Sequence, residues 1–290
     1  MKYLILISSL FWWLPVQAQV LLRHDATLTM QMDDARFGGF SSLEVAADGA
    51  SFIATSDRGT LLRGDIIREN GRMIGLAGLA LSPILDTKGA PLTGLNTDAE
   101  GLAIDDSGKI YMSFEGNHRV MVQNSPEGLP GFVPKHPDFP GLINNSGLEA
   151  LAVDERGVVY AIPERSGGYE TPFPVYRYMD GAWNKDWQIE RRGDYLVTGA
   201  DIFEGRLYVL ERDLAGLFGF SSRIRRFEIA DGLINEEVLI TTPAGRFDNL
   251  EGISVWRAEG GEIRVLLISD GNFRFFQKDQ LVEMVLEAAP

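Results

Sequence analysis

Apolar residues along this chain fall in short alternating runs, and the runs come in pairs separated by a glycine turn. That is the signature of β-hairpins, not helices. The first pair spans residues 40–45 and 52–56 around Asp48-Gly49 and ends at Asp57-Arg58-Gly59. The second spans 98–104 and 110–114 around Ser107-Gly108 and ends at Glu115. The third spans 147–153 and 158–162 around Arg156-Gly157 and ends at Glu164-Arg165. A fourth, at 199–203 and 207–210 around Glu204-Gly205, ends at Glu211-Arg212. The fifth, at 249–255 and 263–268, carries the insertion Glu259-Gly260-Gly261 and ends at Asp270.

These units begin near residues 41, 100, 149, 200 and 251, a period of roughly 50. Further strand-like runs follow them, at 119–123, 174–178, 223–229 and 274–277 with 281–286. Four strands per period predict an all-β fold, a β-propeller of five or six four-stranded blades. The N-terminal run at 20–32 is expected to add an outer strand to the last blade and close the ring. The long interval from Gly59 to Thr97 leaves room for a sixth, degenerate blade. A β-sandwich is the other all-β solution, but sandwiches do not ordinarily repeat themselves at this period.

The first 18 residues read as an export signal: Lys2, an apolar stretch at 4–14, and Val16-Gln17-Ala18 before Gln19. The stretch is about 11 residues long, short of the ~20 needed to span a bilayer. Residues 19–290 are then one mature propeller domain, periplasmic or secreted, with no stable membrane insertion after cleavage. The absence of cysteine removes disulfides, thiolate nucleophiles and cysteine zinc sites from consideration. With 27 basic against 41 acidic residues the formal charge is −14, which disfavours nucleic acid as a partner and suits cations. Oligomeric state is not legible.

In an antiparallel hairpin the first strand begins where the second ends, so each opening acid neighbours its closing acid. Repetition around an axis brings Asp57, Glu100, Glu115, Glu149, Glu164, Glu211, Glu251 and Asp270 toward one mouth, with Asp201 fitting less well. Carboxylates so gathered repel unless something positive sits among them, and hard oxygen donors at flexible spacing suit Ca²⁺. Arg58, Arg165 and Arg212 follow closing acids directly, and Arg119 follows Glu115 closely. They are candidates for ion pairs or for a phosphate or carboxylate clamp. Capping of turns by these acids is the structural alternative.

Of three histidines, only His118, just past Glu115, falls near the mouth and is a candidate acid or base beside Glu100 and Glu149. His24 and His136 are read as incidental. No G-x-S-x-G, H-E-x-x-H or G-x-x-x-x-G-K-[ST] occurs, so water activated by metal or carboxylate is the expected nucleophile. The proline-rich stretch 124–145 is a loop, either a lid or a surface excursion. Phe218-Gly219-Phe220, beside Arg212, either lines a pocket or packs in the core.

Phe37-Gly38-Gly39-Phe40-Ser41, Ser56-Asp57-Arg58-Gly59, Asp98-Ala99-Glu100-Gly101-Leu102-Ala103 and Asn145-Ser146-Gly147-Leu148-Glu149-Ala150-Leu151 follow one another in order. With Asn249-Leu250-Glu251-Gly252 and Ser269-Asp270-Gly271-Asn272, this set resembles the bacterial phytase-like domain family, described as "esterase-like activity of phytase". Ala150 departs from that family's Glu-Gly unit but keeps a small residue. The resemblance implies a propeller, ester hydrolysis and, as in related propeller phytases, calcium in an acidic mouth with water as nucleophile. The expectation is a Ca²⁺-dependent phosphomonoesterase acting on a small-molecule ester or phosphate. The alternatives are a lactonase-type hydrolase and a non-catalytic periplasmic binding or scaffold propeller.

Overall fold

The computed structural model describes residues 20–125, 128–143, 146–271 and 277–288. The stretch 1–18, read above as an export signal, and residues 274–276 of the run at 274–277 lie outside the described residues. Among the described residues no helix is long and apolar enough to cross a membrane.

The described chain opens with β1 (Val20–Thr29) and then lays down blade after blade. Blade 1 is β2 (Phe40–Val45), β3 (Ser51–Ser56), β4 (Thr60–Glu69) and β5 (Arg72–Pro83). Blade 2 is β6 (Ala99–Ile104), β7 (Ile110–Phe114), β8 (Arg119–Gln123) and the short β9 (Gly131–Phe132). Blade 3 is β10 (Ala150–Val153), β11 (Val159–Ile162), β12 (Phe173–Met179) and β13 (Ala182–Ile189). Blade 4 is β14 (Leu196–Phe203), β15 (Arg206–Leu214), β16 (Phe220–Ile229) and β17 (Leu233–Thr241). Blade 5 is β18 (Asn249–Arg257), β19 (Ile263–Asp270) and β20 (Gln280–Ala288), with β1 returning as its outermost strand, antiparallel to β20. The ring therefore has five four-stranded blades, closed by its first strand as the sequence predicts.

The sixth blade is excluded. Residues 60–83 form β4 and β5, long outer strands of 10 and 12 residues that complete blade 1. The first strand of each blade is innermost, and β2, β6, β10, β14 and β18 adjoin in a cycle around the axis.

Turn chemistry sets the hairpins. Glu204 and Gly205 both take positive φ, 50° and 68°, the two-residue turn whose twist matches the flanking strands. The β6–β7 and β10–β11 turns are held by aspartates instead. Asp105 Oδ1 accepts from the Ser107 and Lys109 amides, and Asp154 Oδ1 from those of Arg156 and Val158. Acids at this far end of the blades are therefore turn caps.

The hydrophobic core is divided among the seams between blades, one cluster to each of the five seams. β1 serves two of them: Leu22 packs into the seam between blades 4 and 5, and Ala26 into that between blades 5 and 1, where Met30, just past the strand, joins it. The second seam also holds the fully buried Glu283, which accepts from Arg68 of blade 1 at 2.7 Å and is paired with Arg264 of its own blade. The described part of the proline-rich stretch is a surface excursion. Phe139 is buried against Tyr176 and Trp183, and Trp183 Nε1 donates to the Pro134 carbonyl at 2.5 Å, so the loop packs on blade 3.

Candidate functional site

Four of the five innermost hairpins share an irregularity at one end of the ring, and β10–β11 pairs without it. Register slips between Phe40 and Ser42, Ala99 and Leu102, Val197 and Gly199, and Leu250 and Gly252. A bulge re-aims the side chain it carries. Two of these bulges hold Glu100 and Glu251, each followed by a glycine. A Cβ on Gly101 would lie 2.6 Å from Leu151 Cβ, and one on Gly252 would lie 2.7 Å from Ser42 Cα. The Glu-Gly pair thus combines an acid aimed at the mouth with a close approach of the neighbouring blade.

Opening and closing acids meet as the hairpin geometry predicts. The Glu115 amide donates to the Asp98 carbonyl at 2.9 Å, Glu164 to Gly147 at 3.0 Å and Asp57 to Gly39 at 2.9 Å. Asn249 is the strand partner of Asp270. Carboxylate oxygens of Asp98, Glu100 and Glu115 all lie within 4.8 Å of one another, with Glu100 and Glu115 buried. Glu115 Oε1 also accepts from the Gly147 amide at 3.0 Å.

The electrostatics of this group follow from burial that nearby cations offset only in part. Glu100 is held well above the ordinary carboxyl range by burial, then by Glu149, Glu251, Asp98 and Glu115. Glu149 is likewise held well above, by burial and then Glu164, Glu115 and Glu251, with Arg212 opposing. Burial raises Glu115 and Asp98 as well. Asp57 is pushed up to about 6, by burial first and Asp98 second.

The other side of the ring is neutralised internally. Arg212 donates to Glu251, to Asn249 Oδ1 at 2.6 Å and to Glu164 Oε1 at 3.1 Å, so one guanidinium of blade 4 ties blades 3 and 5. Burial alone works to lower its pKa, but Glu251, Glu164 and Glu149 outweigh it and raise the group. Asn249 Nδ2 donates to Glu251 Oε1 at 2.6 Å.

Several expected members stand elsewhere. Glu211 does not join the mouth: it is fully buried between Arg223 at 2.7 Å and Arg225 at 2.5 Å. Asp201 lies toward the far end of the channel, accepting from the Ile202 and Val255 amides. Asp270 is buried at the end of β19. Arg119 stacks 4.0 Å above the Phe114 ring and donates to the Asn96 carbonyl at 2.7 Å; burial lowers it to about 10, with Asp98 opposing. Arg58 is exposed and donates to the Ala35 carbonyl at 3.1 Å. Arg165 is half-exposed and donates to Ser146 Oγ at 2.7 Å and Glu164 Oε2 at 3.3 Å. His118 is buried against Gly147, and burial lowers its pKa, with the Leu142 backbone opposing. Like Asp98, Glu100, Glu115 and Glu149, it stands off the wall of the large cavity that Glu164, Arg212 and Glu251 line. His24 bonds Thr27, and His136 is packed between Phe139 and Tyr176.

Sequence reasoning missed Asp98 as a site residue, although it stands two positions before Glu100, as Asn249 stands before Glu251. That shared column of the repeat was the available signal. Of the two readings of Phe218-Gly219-Phe220, the pocket holds: Gly219 and Phe220 line a cavity of about 1410 Å³ beside Glu164, Arg212 and Glu251, which runs out to Arg191, Leu217 and Arg246.

A family model described as phytase-like, esterase-like activity of phytase, matches residues 35–273. No curated protein matches the chain. Among solved structures, the catalytic domain of the GH62 α-L-arabinofuranosidase of Coprinopsis cinerea is similar at a TM-score of 0.55 and 11% identity, over 94% of this chain and 98% of that one. The PQQ-bound aldose sugar dehydrogenase of Streptomyces coelicolor is similar at 0.53 and 13% identity, over 93% and 99%. At such identities the likeness is one of fold.

Proposed function

The chain belongs to the phytase-like family, and from that premise we propose that it is a divalent-cation-dependent ester hydrolase acting on phosphomonoesters, with calcium as the cation. One observation carries the reading: the ring of acids is half clasped and half open. Arg212 neutralises Glu164 and Glu251. Asp98, Glu100 and Glu115 converge with no ion pair to a basic side chain among the described residues.

The donor set fits a hard cation. It offers only carboxylate oxygens, it is buried enough to resist ionisation, and its spacing is that of oxygens sharing one centre. Calcium tolerates such irregular oxygen geometry, whereas magnesium demands a stricter octahedron. Asp98, Glu100 and Glu115 would hold the ion, which when bound polarises a phosphoryl oxygen and acidifies water. Glu149, whose carboxyl retains a proton more readily than an exposed glutamate, is suited to exchange protons with the attacking water or the leaving alcohol. Arg165, half-exposed on the cavity wall, is the arginine best placed to receive the phosphate. Arg58 and Arg119 lie off the cavity wall, Arg212 is held between two carboxylates, and His118 is given no catalytic role.

The scaffold alternative draws support from the Arg212 clasp, a structural use of half the ring. The discriminating experiment is hydrolysis of p-nitrophenyl phosphate and p-nitrophenyl acetate by the mature chain, with calcium and with chelator. Calcium-dependent phosphate release is expected. Acetate cleavage alone would replace the phosphatase reading with a carboxylic esterase or lactonase, and no turnover of either would favour the scaffold.

A further inference from the structure

The cavity beside the acids is built from residues that acid chemistry does not require. Its outer wall carries Leu214 and Leu217, 62% and fully exposed, and Tyr169, 75% exposed. Large apolar side chains scattered singly over a surface need no explanation, but three that line one cavity form a surface that excludes water on contact with a ligand. The segment bearing the leucines is fixed in place. The Ala215 amide donates to the Gly219 carbonyl at 3.0 Å, and Gly245 donates to Phe220 at 2.8 Å.

Cations stand among these apolar groups. Arg191 lies 5.2 Å from the Tyr169 ring and donates to the Gly168 carbonyl at 3.2 Å, and Arg246 lies 5.4 Å from the Phe247 ring. Neither has an ion pair to a carboxylate among the described residues. A flat guanidinium face beside an aromatic ring suits a planar apolar group, and its charge suits an anion.

We infer that this cavity is the subsite for the non-reacting part of the substrate, and that it selects anionic esters carrying an aromatic group over small polar ones. The selection rests on the ester-hydrolase reading above. Binding of an aromatic anion, however, does not require turnover.

The experiment compares 1-naphthyl phosphate with glycerol 2-phosphate, in the wild type and in the double variant Leu214→Ser, Leu217→Ser. Both leucines are exposed, so the variant should fold, checked by an unchanged melting temperature. The expected result is a KM for 1-naphthyl phosphate raised about tenfold by the lost apolar contact, with glycerol 2-phosphate unaffected. Equal losses on both substrates, or no wild-type preference for the naphthyl ester, would overturn the inference. If neither ester is hydrolysed, the hydrolase reading fails and the subsite is judged by fluorescence of 8-anilinonaphthalene-1-sulfonate. Saturable one-to-one binding, weakened about tenfold in the double variant, supports the subsite. Absent binding, or binding indifferent to the variant, rejects it.

Discussion

Arg212 Nη2 donates to Glu164 Oε1 at 3.1 Å, joining blade 4 to blade 3, while the same guanidinium reaches Glu251 on blade 5. A single cation thus decides which half of an acidic ring is structural. Replacing it by Met strips the partly buried Glu251 of its only ion pair among the described residues and leaves Glu164 its longer contact with Arg165, a situation that typically costs about 3 kcal/mol. Thermal melting of Arg212→Met should accordingly fall by on the order of 6–10 °C. A melting temperature equal to that of the wild type would mean the clasp does not hold the blades.

The open half should respond in the opposite sense. Glu100→Gln removes a carboxyl that burial and four neighbouring acids keep from ionising freely. In chelator the variant is expected to melt no lower than the wild type. Its calcium-dependent hydrolysis is expected to fall by about 100-fold or more, because a first ligand is gone. Destabilisation in chelator comparable to that of Arg212→Met would instead make Glu100 a structural residue.

Stability should depend on pH in a direction unusual for carboxylates. Asp57 is raised to about 6 and Asp201 to about 7, and Glu100 and Glu149 move the same way. The folded chain therefore binds more protons than the unfolded chain between the ordinary carboxyl range and about pH 7. Stability from these groups is fully present below the unfolded pKa and is lost as pH rises through the folded values. In chelator the melting temperature should decline from pH 5 to pH 8. Calcium, which needs ionised ligands, should reverse the slope. Glu44, raised by burial and by Asp201 at the far end of the channel, contributes with the same sign, so Glu100→Gln reduces the slope without removing it. A slope of the opposite sign in chelator would contradict this account of the acids.

Ring closure is separately testable. β1 brings Leu22 and Ala26 into two seams. Burial of a large apolar side chain contributes roughly 1.5–3 kcal/mol, and removal of β1 also leaves β20 as a bare edge. A chain lacking residues up to Thr29 should lose its cooperative thermal transition. Cooperative melting near the full-length value would show that blade 5 is stable with three strands.

The parts of this fold that were legible in the sequence are those nearest the axis. Innermost strands are buried on both faces and end at a recurrent acid, so β6 and β7 or β10 and β11 announce themselves as near copies. Outer strands answer only to their own seam. β4 and β5 are half-exposed and carry no repeated motif, which is why residues 60–83 left room for a blade that does not exist. The closing strand was legible because it precedes the first blade and has no hairpin partner beside it in the sequence.

Within the site, hairpin geometry correctly brought Glu100 to Glu115 but could not decide the partner of Glu211. That partner comes from β16, where Arg223 and Arg225 lie on the face turned toward it. Nor does spacing distinguish an arginine free to bind a ligand from one held by carbonyls, as Arg119 is by Asn96. Those distinctions belong to packing between neighbouring strands and blades, and local sequence does not encode them.

The central claim is that Asp98, Glu100 and Glu115 hold a divalent cation. Calorimetric titration of calcium into the chelator-treated mature chain, repeated with Glu100→Gln, tests it most directly. Saturable binding to the wild type, abolished or weakened about 100-fold in the variant, is the predicted result. No heat of binding to the wild type, or identical binding by the two proteins, would contradict it.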